Sequence, residues 1–160
     1  MKSLAAAICL SFIAQVALAQ SPYAGMQVRT IKGLSDQQIA DLKAGRGMGL
    51  ALPAELNGYP GPIHVLELAD QLGLSAEQKT RIKDLFDSMK AEAMPLGAKL
   101  LEQEAALDQQ FANHSVTAES LKAATAEIGA TQAKLRDTHL KYHLRTTQIL
   151  SAEQTRTIPC

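Results

Sequence analysis

The feature that most restricts how this chain can fold is a short phrase that recurs. Leu-Ser-Ala-Glu-Gln occurs at 74–78 and at 150–154, and a variant, Leu-Ser-Asp-Gln-Gln, occurs at 34–38. In each copy the serine hydroxyl can accept a hydrogen bond from the backbone N–H three residues on, while the glutamine there reaches back to the serine N–H. Each phrase therefore predicts a capping box at a helix start. The helix-capping residues are Leu74, Ser75, Gln78, Leu150, Ser151, Gln154, Ser35 and Gln38.

The residues between these phrases are mostly good helix formers. The copies are unequally spaced, so they do not make a tandem repeat. Aromatic residues make up only 4% of the chain and tryptophan is missing, whereas alanine, leucine, glutamine, glutamate and lysine dominate. We therefore predict an all-α protein, built as an antiparallel hairpin of two long helices with short N-terminal helices.

The first long helix is predicted from Ser75 to about Asn113. Apolar residues recur there at helical spacing, which is typical of one buried face. Pro95 interrupts the pattern, and proline inside a helix removes one backbone hydrogen bond and crowds the preceding turn. We expect a kink near residues 92–95, or two shorter helices.

The second long helix is predicted to begin after a Thr117 cap, and its apolar residues are seven apart. Such a stripe packs against a neighbouring helix, and a short turn makes the two long helices antiparallel. A lone hairpin buries little surface, so the stripes should also contact the N-terminal helices or a second chain. We expect a homodimer. The predicted client or dimer surface consists of Ile82, Leu85, Met89, Leu96, Ile128, Leu135 and Tyr142.

The N-terminus has the pattern of a cleavable signal peptide, residues 1–19. A positive start precedes an apolar run at 4–16, and residues 17–19 have the small-x-small pattern of a cleavage site. No later stretch has the roughly 20 apolar residues of a membrane span. We expect a periplasmic protein without a stable membrane anchor, in which Cys160 is the only cysteine left after cleavage.

The remaining chain is divided into an N-terminal block, 20–62, and a hairpin domain, 63–160. In the block, a short helix from Ser35 should stop at Gly45, a typical residue beyond a helix end. Residues 45–62 are rich in glycine and proline and predict a loop with a short helix near 50–56. No strand or Gly-Lys-Ser/Thr pattern makes this a phosphate loop. The net charge is zero, so nucleic-acid binding is not expected.

The candidate metal ligands are two histidines on the second long helix. His139 and His143 are four residues apart, so both side chains lie on one helix face and can share one ion. Two ligands do not make a selective site. Further ligands could come from His64, His114, Glu67, Met48 or a partner subunit. The alternative is a pair of partly solvated histidines beside Tyr142, which could respond to pH.

Catalysis has little support in the sequence. His139 and Asp137 are two residues apart, so on a helix they point in different directions, and no activated serine or cysteine motif accompanies them. We expect no enzyme activity and no required cofactor.

An exported all-α chain with Leu-Ser-Ala-Glu-Gln opening a long helix and recurring near its end resembles the LTxxQ-motif family of periplasmic proteins. The resemblance covers about residues 63–154, with serine in place of the family's threonine. This family includes Spy and CpxP type stress chaperones and related periplasmic heavy-metal sensors. It implies a dimeric, curved helical cradle that holds unfolded proteins without ATP. A basic concave surface is associated with its best-known chaperone, whereas this chain is electrically neutral.

Two functional hypotheses follow. The first is a periplasmic ATP-independent chaperone or envelope stress-response adaptor that binds unfolded or envelope proteins. The alternative is a periplasmic heavy-metal sensor or buffer that holds a divalent transition metal, Zn, Cu or Ni, at the helical histidine pair.

Overall fold

The computed structural model describes residues 22–158, and this part of the chain is helical with no strand. After a 3-10 turn at Met26–Val28 come α1 (Asp36–Lys43), α2 (Leu52–Glu55), α3 (Pro62–Glu67), α4 (Ala76–Ala112), α5 (Ala118–Thr147) and α6 (Ala152–Thr157). The all-α prediction is confirmed. The predicted signal peptide and Cys160 lie outside the described residues.

The two long helices form the predicted hairpin. A turn at 113–117 joins α4 to α5, which pack against each other along their length. The alternative of two shorter helices around Pro95 is wrong, because α4 continues through this residue. On either side of Pro95, Ala93 and Gly97 are buried against α1, and this packing offsets the lost hydrogen bond.

The predicted capping boxes all form. In each box the serine hydroxyl accepts from the backbone N–H of the glutamine three residues on, and the glutamine side chain accepts from the serine backbone N–H. The three serines are Ser35, Ser75 and Ser151. Thr117 caps α5 in the same way, with Ser120 as its partner. The helix starts are therefore set by bonds between residues three apart, as the sequence predicted.

Two of these boxes also bind each other, which the sequence did not predict. Gln78 Nε2 donates to Gln154 Oε1 at 2.9 Å and to the Ile149 carbonyl at 3.0 Å. Gln154 Nε2 donates to Gln78 Oε1 at 3.2 Å and to the Leu72 carbonyl at 3.2 Å. The two glutamines thus join the start of α6 to the start of α4.

The short N-terminal helices cover much of the hairpin's apolar face. Helix α1 places Leu42 in one core cluster with Ala93, Leu100, Ile128 and Leu135. Helix α3 places Val65 in a second cluster, beside Ile82 near the start of α4. The apolar stripes are therefore largely satisfied within one chain.

This packing corrects the predicted client or dimer surface. Five of its members are buried in the chain's own interior: Ile82, Met89, Ile128, Leu135 and Tyr142. Leu85 and Leu96 are only half-buried. The buried five offer no surface to a client or a second chain in this arrangement, and the homodimer stays a prediction.

A polar contact joins the two long helices of the hairpin. The Tyr142 hydroxyl donates to Glu92 Oε1 at 2.7 Å, and Lys141 pairs with the other oxygen of the same carboxylate. The bonds from Lys141 and then from Tyr142 hold the pKa of Glu92 below its usual value. Glu92 is therefore ionised at neutral pH and accepts charge-assisted bonds from α5.

Replacing Tyr142 with phenylalanine should lower the free energy of unfolding by about 1 kcal/mol. The ring remains in the core, but the hydrogen bond from the hydroxyl to the carboxylate is lost. Because Glu92 is half-exposed, we expect the value of a typical hydrogen bond, about 0.5–1.5 kcal/mol, and not the larger value for a buried charged partner. Urea unfolding followed by circular dichroism measures the change. Tyr59→Phe is the control, because that side chain is exposed. Equal effects of both substitutions would contradict the assigned contact.

None of the helices in residues 22–158 combines the length and the apolar character needed to cross a membrane.

Candidate metal-binding site

The histidine pair of α5 lies under the glycine-rich segment, which we define as residues 45–61. His139 is 2% exposed and His143 is 4% exposed. The alternative of partly solvated histidines is therefore wrong. The histidines are buried by residues that lie about 80 positions earlier in the chain, so their burial depends on the tertiary structure.

Glycine allows this close cover at two points. A Cβ atom added to Gly61 would lie 2.8 Å from Cε1 and 3.0 Å from Nε2 of His143. A Cβ atom added to Gly47 would lie 3.4 Å from Nδ1 of His139. The backbone of the segment therefore passes directly over both imidazoles, closer at Gly61 than a side chain would permit.

A backbone carbonyl orients His143. Its Nδ1 lies 2.7 Å from the Tyr59 carbonyl oxygen, and a carbonyl can only accept, so Nδ1 carries the hydrogen. In the neutral ring, Nε2 then presents its lone pair. Metal-binding histidines typically donate their other ring N–H to a carbonyl or carboxylate in this way. The contact fits His143 for coordination through Nε2.

His139 contributes a buried nitrogen without a partner in the part of the chain that the structure describes. Its Nε2 makes no hydrogen bond to any of residues 22–158. Burial lowers the pKa of His139 below its usual value of 6.5, and the neighbouring His143 lowers it further, while Glu55 opposes them. The ring is therefore neutral at pH 7. A buried polar atom without a partner costs about 1–3 kcal/mol, and a bound ion is one explanation for such an atom.

Glu55 of α2 lies between two histidines. Its Oε1 is 3.7 Å from Nε2 of His143 and 3.9 Å from Nε2 of His64. With metal–nitrogen bonds of 2.0–2.1 Å, donors of a tetrahedral site are about 3.3 Å apart. These atoms would thus need to approach one another by roughly 0.5 Å to share an ion.

A cavity of about 280 Å³ connects these groups. The lining residues whose side chains carry potential metal-binding nitrogen, oxygen or sulfur atoms are Met48, Glu55, His64, Met89, His139 and His143. Among residues 22–158, no three histidine, cysteine or carboxylate side chains already stand close enough to hold an ion. For these donors to share an ion, the cavity would have to contract.

Of the further ligands predicted from the sequence, the structure brings only some to the pair. His64 and Met48 line the same cavity. Glu67 contacts His64, with its Oε2 3.4 Å from Nδ1. His114 is wrong as a ligand, because it lies in the turn at the opposite end of the hairpin.

Sequence reasoning missed Glu55 and the Tyr59 carbonyl. Both lie in the glycine-rich segment, which the sequence indicated only as a loop with a short helix. Glu55 is the only charged residue between Arg46 and His64, and this isolation was the one available signal. Nothing in the local pattern linked it to histidines on α5.

The fold and the cavity define a class of protein: a small helical hairpin with a histidine-lined cavity that the N-terminal block closes. Residues 60–157, more than half of the chain, match the family described as heavy-metal resistance. The chain belongs to the heavy-metal resistance family, which confirms the resemblance to the LTxxQ group. No curated protein and no solved structure matches the chain.

Proposed function

We propose that this chain is a periplasmic sensor or buffer of heavy metals that binds a divalent transition metal ion in the histidine-lined cavity. The observation that carries the proposal is the buried Nε2 of His139, which has no partner among the described residues and lies on the same helix face as His143. Membership of the heavy-metal resistance family supports it.

The donor set favours borderline metals. The ligands are Nε2 of His143, Nε2 of His139 and Oε1 of Glu55, with His64 as the fourth. Two or three neutral imidazoles with one carboxylate suit Zn, Cu or Ni, whereas Ca and Mg need oxygen ligands. Met48 and Met89 also line the cavity, and their thioethers would add softer donors.

A periplasmic location agrees with the available observations. The sequence predicts a cleavable signal peptide at 1–19, the described residues contain no helix that could span a membrane, and proteins of this family are typically periplasmic. Ions that enter the periplasm would meet the protein before they reach the cytoplasm.

The chaperone hypothesis has weaker support. It was motivated by export, the helix caps and the amphipathic hairpin, and the main residues of its predicted client surface are buried in the chain's own core. The resemblance to Spy and CpxP type proteins remains as its support. Suppression of the aggregation of a reduced client at stoichiometric amounts would test it, and no suppression at any ratio would count against it.

Isothermal titration of the purified protein with Zn²⁺, Cu²⁺ and Ni²⁺ tests the metal proposal. We expect a 1:1 complex with at least one metal at a Kd near 1 μM or tighter, about −8 kcal/mol. His143→Ala should weaken binding by at least about 10–100-fold, because losing even a residue that orients a ligand has an effect of this size.

The matched control is His114→Asn. This histidine has a positive φ of 52° in the far turn, a conformation that asparagine tolerates, and it is exposed. Its substitution should leave the Kd unchanged. The proposal fails if every metal binds more weakly than about 100 μM, or if both variants retain the original affinity.

A further inference from the structure

We propose that the glycine-rich segment, residues 45–61, is the part of the protein that responds to the metal. Coordination would close this segment onto α5, so that the segment becomes more ordered when a metal occupies the site. This inference rests on the proposed function and names the regulation of that same site.

The segment contributes both a ligand and an orienting group. Glu55 lies on α2 within it, and the Tyr59 carbonyl accepts from Nδ1 of His143. Its backbone also covers both rings at Gly47 and Gly61. A metal ion therefore cannot join Glu55 to α5 without fixing the position of the segment.

Without a metal, the apolar contacts of the segment are small: the side chains that it buries are those of Ala51, Ala54 and Pro60, and Leu50 packs in part against the core. The only helix of the segment is the single turn of α2, and Met48 has a positive φ of 46°, which is uncommon for a residue other than glycine. The side chains of Leu52 and Leu56 are 48% and 64% exposed, so they contribute little to packing. Regions with few buried apolar contacts open locally at low free energy.

A metal would add bonds between elements that are otherwise joined weakly. Glu55, His64 and His143 lie on α2, α3 and α5, and the gaps of 3.7 and 3.9 Å from Oε1 of Glu55 would shorten to about 3.3 Å. Because the complete ligand set exists only when the segment is closed, the open form binds less tightly. Mass action then suppresses opening in proportion to the ratio of free metal to Kd.

Hydrogen exchange measured by mass spectrometry tests this coupling. With free Zn²⁺, or whichever metal titration shows to bind, at about 100 times its Kd, amides of 45–61 that exchange through segment opening should slow by up to about 100-fold. Peptides from the middle of α4 should change far less, because the long helix is already packed. Titration of the same sample establishes that the metal is bound.

Glu55→Gln separates coupling from binding. The imidazoles remain, so the variant should bind metal more weakly, and at equal saturation it should lose most of the protection of 45–61. Glu119→Gln, an exposed carboxylate in the first turn of α5, is the control and should behave as the original protein does.

Gly61→Ala tests the same contact without metal. Its φ of −77° suits alanine, so the only obstacle is the His143 ring, and we expect faster exchange across the segment with an unchanged helical spectrum. Gly33→Ala, in open space, should leave exchange unchanged.

Metal binding without added protection of 45–61 would overturn the inference and leave the proposed function standing. Full protection in Glu55→Gln would also overturn it. Absence of metal binding in the titration would overturn both.

Discussion

Replacing Gln78 with alanine is expected to lower the free energy of unfolding by about 2–4 kcal/mol. The side chain completes its own capping box, donates to the Ile149 carbonyl, and exchanges two hydrogen bonds with Gln154. Each net bond is worth about 0.5–1.5 kcal/mol, and a part-buried acceptor left without a donor costs more. Chemical unfolding at equilibrium measures the loss.

Gln38→Ala is the matched control for this prediction. Gln38 has the same place in a capping box, but among residues 22–158 its side chain forms a hydrogen bond only with Ser35. We expect a loss of about 0.5–1 kcal/mol, the size of a single cap contribution. If both substitutions had the same effect, the pairing of Gln78 with Gln154 would contribute nothing to stability.

Replacing Gly97 with alanine is expected to displace α1 and to destabilise the protein by at least about 1–3 kcal/mol. An added Cβ would lie 2.2 Å from the Leu42 carbonyl oxygen and 2.9 Å from its carbonyl carbon. These are backbone atoms, so no side-chain rotation can relieve the overlap. The loss would come despite the roughly 1 kcal/mol by which alanine favours a helix interior over glycine.

Gly129→Ala isolates that helical preference. Gly129 lies within α5, and no atom of the described chain is within 4 Å of an added Cβ. We therefore expect a gain of about 0.5–1 kcal/mol in the free energy of unfolding. Proteolysis near α1 should accelerate in Gly97→Ala and stay unchanged in Gly129→Ala. Stabilisation by both substitutions would contradict the close approach of α1 to α4.

The local parts of this fold could be predicted because their causes are local. A capping box joins residues three apart, so the starts of α1, α4 and α6 were visible at Ser35, Ser75 and Ser151. The prediction of two shorter helices around Pro95 was wrong, because the packing of α1 against this part of α4 was not visible in the sequence.

The covering of the apolar stripes was also beyond the sequence. A seven-residue repeat requires a partner surface but does not say whether the partner is another chain or another part of the same chain. Here α1 and α3 supply much of it, through Leu42 and Val65. Most of the predicted client surface was therefore assigned to residues that the chain uses for its own core.

The sequence by itself determined the helices, their caps and the common helix face of His139 and His143, since each depends on residues a few positions apart. Only the tertiary structure decided that Gln78 meets Gln154, that Glu55 lies beside His143, and that the glycine-rich segment covers both imidazoles. Those contacts join residues about 80 positions apart along the chain. They depend on how the hairpin buries its apolar faces, and a local pattern carries no record of that packing.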